Sequence, residues 1–189
     1  MKKIAITGLM GSGKSLVSEI LRRKGYLVFS CDEAVCEMYI ETHKLYPQLQ
    51  QIVKASGDLK SAMRHRFFED SELKATVEKL IHQQVLKEME CFFETANQET
   101  VFAEVPLLFE LGWENYFDES IAVICDKEIS QKRLSLHRGF SVEEVEKRWE
   151  HQDSNKIKID KATYTIYNNG TKIELEEKID QLLERWRNF

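Results

Sequence analysis

"KKIAITGLMGSGKS" (residues 2–15) is the stretch that decides the fold. Residues 3–7 are a short apolar run that ends abruptly at Thr7 and Gly8, which predicts a buried strand. Residues 14–24 carry Leu16, Val17, Ile20 and Leu21 on one face and are followed by Gly25, which predicts a helix. Between them, Gly8, Gly13, Lys14 and Ser15 fit the pattern G-x-x-x-x-G-K-[ST]. Glycines there let successive backbone N–H groups turn inward onto phosphate oxygens, and the helix dipole favours the anion. Gly8, Met10, Gly11, Ser12, Gly13, Lys14, Ser15 and Leu16 are therefore the expected nucleotide-binding set. Lys14 is expected to reach the β- and γ-phosphates and the Ser15 hydroxyl to hold Mg²⁺. The loop implies a bound triphosphate and leaves the acceptor open, because ATPases, GTPases and kinases share it.

Outward from the loop, short apolar strands alternate with helices. "YLVFS" (26–30), "ETVFAEVP" (99–106), "ESIAVIC" (119–125) and "ATYTIY" (162–167) read as further strands. Helical patterns lie at 127–138, 141–151 and 172–187. Residues 32–97 are helical without a convincing strand. The longest helix is expected over 71–95, capped by Ser71, with Leu73, Val77, Leu80, Ile81, Val85 and Met89 as its stripe. This order predicts an α/β fold: a five-stranded parallel sheet covered on both faces, in a single domain over 1–189. The 32–97 stretch is too long for a simple crossover and reads as an inserted helical lobe that holds a second substrate.

Composition narrows the class. The 189 residues include 27 Lys+Arg and 32 Asp+Glu, a net charge of −5, which gives no general attraction to nucleic acid or anionic membranes. No apolar run reaches the ~20 residues a membrane helix needs. The N-terminus reads as a buried strand rather than a signal peptide. The four cysteines lack metal-ligand spacing and suit reduced thiols in a cytoplasmic protein. His137 and His151 have no suitably spaced partners for a metal site.

Several other residues are candidates for chemistry. Asp32 follows the second strand, at the strand end where a parallel sheet binds ligands. It reads either as a general base for an attacking hydroxyl or as a helix N-cap. "QKRLSLHRG" (131–139) puts Arg133 and Arg138 on a helix, to stabilise transferring phosphate or to form a solvated face. Glu104 ends the third strand, as a carboxylate acting through metal-bound water or as a surface group. Leu107, Leu108 and Phe109 either wall an acceptor or pack in the core. A guanine-reading Asn-Lys-x-Asp is missing, since "NKIK" (155–158) has Lys158 in place of the acid.

The motifs "ITGLMGSGKS" (6–15), "FSCDEA" (29–34), "LIHQQV" (80–85), "VPLLFE" (105–110), Q-K-R-L…R (131–138), "RWEHQ" (148–152) and "TIYNNGT" (165–171) occur in that order. Together they resemble the dephospho-coenzyme A kinase family, from about Lys3 to about Gly170. The resemblance implies a three-layer phosphate-loop kinase fold, with a helical acceptor-binding insert at about 32–97 and a helical lid at about 128–155. It implies phosphoryl transfer from ATP, with Mg²⁺, to the ribose 3′-hydroxyl of dephospho-coenzyme A. Asp32 matches the second acid of the family's Asp-x-Asp, the general base. Lys14 and Arg138 complete the catalytic set, Arg138 facing the triphosphate from the lid. Asn168 lies in the turn that borders the adenine. His82 matches a histidine of the acceptor lobe, and Leu108 and Phe109 join it and Asp32 as acceptor-binding residues.

Three departures stand out. Ser30 replaces the first acid of Asp-x-Asp, Gln83 replaces a proline after the histidine, and the 40–60 stretch is several residues short, which implies a trimmed or less ordered lobe. The expected partners are ATP and dephospho-coenzyme A, without nucleic acid or membrane, in a monomer or weak homo-oligomer. Two rivals are a kinase for another small acceptor and a nucleotide-binding protein without transferase activity.

Overall fold

The computed structural model describes residues 1–187 and divides into two compact units: Met1–Phe29 with Ala96–Phe189, and Ser30–Thr95. In the first, the strands are β1 (Lys2–Thr7), β2 (Val28–Ser30), β3 (Thr100–Glu104), β4 (Glu119–Ile124) and β5 (Tyr164–Tyr167), in sheet order β2-β3-β1-β4-β5. β1 pairs parallel with β3 and β4, and β4 pairs parallel with β5. β1 is therefore central, and Ile4, Ala5, Ile6 and Thr7 are all fully buried. That is why it reads as an unbroken apolar run and not an alternating one.

Ile4 and Ile6 point to the face covered by α1 (Lys14–Arg23) and α9 (Lys172–Arg187). There they meet Val17, Ile20, Leu21, Phe102, Val123, Leu175 and Ile179. Thr7, one residue on, points to the opposite face, where α8 (Asn155–Lys161) packs on β4. α6 (Lys127–Arg138) and α7 (Val142–Trp149) come between β4 and α8. α7 starts with a capping box, Ser141 with Glu144.

The chain leaves β1 toward the β2 side of the sheet and leaves β4 toward β5. Adjacent strands whose connections diverge open a crevice at their carboxyl ends. The phosphate loop lies there.

The second unit consists of α2 (Cys31–Met38), α3 (Tyr46–Val53), α4 (Leu59–Glu69) and α5 (Ser71–Thr95). α5 buries Val77, Ile81, Val85 and Met89, while Leu73 and Leu80 are only half-buried. Two local expectations are corrected. Ser71 is inside α5, and it is the Asp70 carboxylate that accepts the Leu73 N–H at 2.8 Å. Asp32 is not a cap, because the Ser30 side chain caps α2 by accepting from the Glu33 N–H at 3.2 Å. The 40–60 stretch carries α3 and the start of α4, in keeping with the helical pattern expected over 32–97. α8 is an element the sequence pattern did not suggest. Among the described residues, no helix is long and apolar enough to cross a membrane.

Candidate active site

The loop leaves β1 at Gly8, whose φ is 152° and whose missing Cβ would collide with the Val123 carbonyl of β4. Gly13 ends it with φ 100°, in the left-handed region that suits glycine. A Cβ there would collide with the Asn168 amide. Leu16 and Val17 donate their N–H groups to the Gly13 carbonyl, which starts α1. The Lys14 ammonium folds back over the loop to the Leu9 carbonyl at 3.1 Å.

Glu104 at the end of β3 is 3% exposed, which removes the surface-group reading. Its two oxygens accept from the Ser15 and Ser18 hydroxyls, each at 2.9 Å. Ser15 and Glu104 thus form a pair of hard oxygen donors beside the loop, the chemistry that suits Mg²⁺. The Ser12 hydroxyl is buried and has no hydrogen-bond partner among the described residues.

Asn168 follows β5. Its N–H donates to the Ile124 carbonyl at 2.7 Å and its side-chain amide to the Ser12 carbonyl at 2.8 Å. Arg133 braces the same turn, donating to the Asn168 carbonyl at 2.9 Å and the Gly170 carbonyl at 3.5 Å. The two arginines of α6 therefore differ. Arg133 is committed to the turn, whereas Arg138 is exposed at the last position of the helix. α6 meets the loop at Gly11 through Ser130 and Leu134, and Arg138, four residues after Leu134, shares that face.

Leu108 is fully buried and Phe109 is 6% exposed, which fits core packing better than contact with an acceptor; Leu107 retains more exposure. Asp32 and His82 belong to the helical unit. Asp32 is exposed in the first turn of α2. His82 is half-buried on α5, and burial pushes its imidazole pKa below the ordinary value, against a weaker opposing pull from Glu78.

Two groups of residues had no assigned place in the sequence reading. The Lys158 ammonium is fully buried and sits 2.9 and 3.1 Å from the two Glu110 oxygens. Glu110 is the last residue of "VPLLFE". Trp149 and Gln152, from "RWEHQ", bond to the backbone of Met10. Lysine is the residue least expected in a core, so Lys158 gave no signal.

A parallel sheet with a phosphate loop on its central strand, a strand-end carboxylate on the loop serine and an arginine helix against the loop defines the class of phosphate-loop kinases. Solved structures share this fold. A Thermus thermophilus protein aligns with TM-score 0.84 at 30% identity, over 97% of both chains. A dephospho-CoA kinase from Campylobacter jejuni aligns at 0.67 and 23%, over 97% of this chain and 96% of that one. The likeness to a shikimate kinase from Acinetobacter baumannii (0.57, 16%, over 98% and 94%) shows the fold alone.

The model of the dephospho-CoA kinase family (CoaE) matches residues 2–174, and the chain belongs to that family. It is 34% identical to the dephospho-CoA kinase of Protochlamydia amoebophila, over 100% of this chain and 98% of that one. With the dephospho-CoA kinase of Streptococcus agalactiae it shares 33% identity, over 97% and 98%.

Proposed function

We propose that the chain transfers the γ-phosphoryl group of ATP to the ribose 3′-hydroxyl of dephospho-coenzyme A, giving coenzyme A and ADP. The observation that carries this is the phosphate loop with its serine bonded to a buried strand-end carboxylate, in a chain of this family. In the reaction the 3′-oxygen forms a bond to the γ-phosphorus, the bond from that phosphorus to the β,γ-bridging oxygen breaks, and ADP leaves. Such transfer needs positioning and charge neutralisation more than covalent chemistry.

The loop amides of residues 8–16 and Lys14 hold the triphosphate in this reading. Asp32 takes the proton of the 3′-hydroxyl. Its exposure and its freedom from a capping role support that assignment. Arg138 supplies positive charge to the transferring group. Ser15, with Glu104 behind it, would hold Mg²⁺, which would supply charge neutralisation to the triphosphate. The Asn168 turn borders the base, and His82 serves the acceptor. Phe109 and Leu108 support the site as packing. We place the protein in the cytoplasm, as a monomer or weak homo-oligomer.

Incubation with ATP, Mg²⁺ and dephospho-coenzyme A, followed by mass spectrometry, tests the proposal. A product one phosphoryl group heavier, modified at the 3′-oxygen, is expected. No product, or faster transfer to a nucleoside monophosphate, would overturn it.

A further inference from the structure

The backbone of Met10, in the phosphate loop, is held at both its N–H and its carbonyl. Its N–H donates to the Gln152 side-chain oxygen at 2.9 Å, and its carbonyl accepts from the Trp149 indole N–H at 3.1 Å. The two side chains come from one closed turn, in which the Gln152 N–H donates to the Trp149 carbonyl at 3.0 Å.

That turn is itself anchored beneath the loop. The Asp153 N–H donates to Glu110 Oε1 at 2.7 Å. Glu110 pairs with the buried Lys158, whose ammonium also reaches the Pro106 carbonyl at 3.2 Å and Thr7 Oγ1 at 3.5 Å. Thr7 is the last residue before Gly8. One stretch, 149–158, thus grips the loop at its root and at its third residue.

A loop that binds phosphate through backbone amides depends on a preset shape, since ordering it at binding costs affinity. Met10 has no side-chain hydrogen bond of its own with which to set that shape. We infer that Trp149 and Gln152 are positioning residues for the nucleotide phosphates, acting through the Met10 backbone. The inference rests on the proposed binding of ATP to this loop.

Gln152→Met keeps side-chain length and removes the acceptor, and Trp149→Phe keeps an aromatic ring and removes the donor. ATP binding is measured by calorimetry with Mg²⁺ and without acceptor, and KM for each substrate by steady-state assay. Loss of one such bond is expected to weaken ATP binding and raise KM for ATP about tenfold. KM for dephospho-coenzyme A and the melting temperature should stay close to the parent's. ATP affinity within twofold of the parent in both folded variants would overturn the inference, as would equal increases in both KM values together with a lowered melting temperature. If Gln152→Met does not fold, Trp149→Phe decides by the same criteria. Failure of the unaltered protein to bind ATP would instead overturn the functional reading.

Discussion

The Ser15 hydroxyl donates to the buried Glu104 carboxylate at 2.9 Å, joining residues 89 positions apart. The other Glu104 oxygen takes the Ser18 hydroxyl, so one carboxylate fixes two successive turns of one face of α1. Glu104→Ala leaves the Ser18 hydroxyl buried without its partner, which costs about 1–3 kcal/mol. It also loosens Ser15, so turnover should drop by about one to two orders of magnitude. Urea unfolding read beside kcat across a Mg²⁺ titration separates the two effects; the activity loss should exceed what the unfolded fraction explains.

Asp32 and Lys14 should differ in what their loss disturbs. Asp32→Asn keeps shape and removes the base, so kcat should fall by about 10²-fold or more with ATP affinity retained. Lys14→Ala should weaken ATP binding and transfer together. Calorimetric ATP affinity and steady-state kinetics on both variants check this, and near-parental turnover in Asp32→Asn would mean Asp32 is not the base.

The Lys158–Glu110 pair makes a prediction about stability. Lys158→Met strands the Glu110 carboxylate, whose side chain is only 15% exposed, and should cost about 3–5 kcal/mol. Replacing both partners, Lys158→Met with Glu110→Leu, should recover much of that loss in urea denaturation, because an uncompensated buried charge is worse than none.

His82 gives the folded state a pH dependence of definite sign. Burial lowers its pKa in the folded protein relative to the unfolded chain. The unfolded chain therefore binds more protons in the interval between the two values. The contribution of neutral His82 is complete above the unfolded value of about 6.5 and is lost as pH falls through the folded one. Melting temperatures from pH 8 to 5 should decline less steeply in His82→Gln than in the parent.

The elements legible in the sequence were those whose burial is periodic or continuous. β1, α5 and α9 read directly, because apolar residues mark every turn or every position that faces the core. α8 did not, for a physical reason: its inward residue is Lys158, and a buried charge looks like a surface residue in any hydrophobic pattern. The phosphate loop was legible because its chemistry is local, needing glycines, a lysine and a serine within eight positions. The groups that hold it are not local. Glu104 meets Ser15, Gln152 meets Met10 and Asn168 meets Ser12 across 89, 142 and 156 positions, and nothing near any of these side chains in sequence marks its partner.

Gly13 has a consequence for how substitutions in this loop are to be interpreted. Its positive φ strains any side chain placed there, the Asn168 amide beside it would have to give way to a Cβ, and neither involves a nucleotide. A randomised library screened only for soluble expression should therefore keep glycine at 13. Its retention under selection records the internal architecture as well as the ligand, and so does that of the buried Lys14, whose ammonium bonds the Leu9 carbonyl.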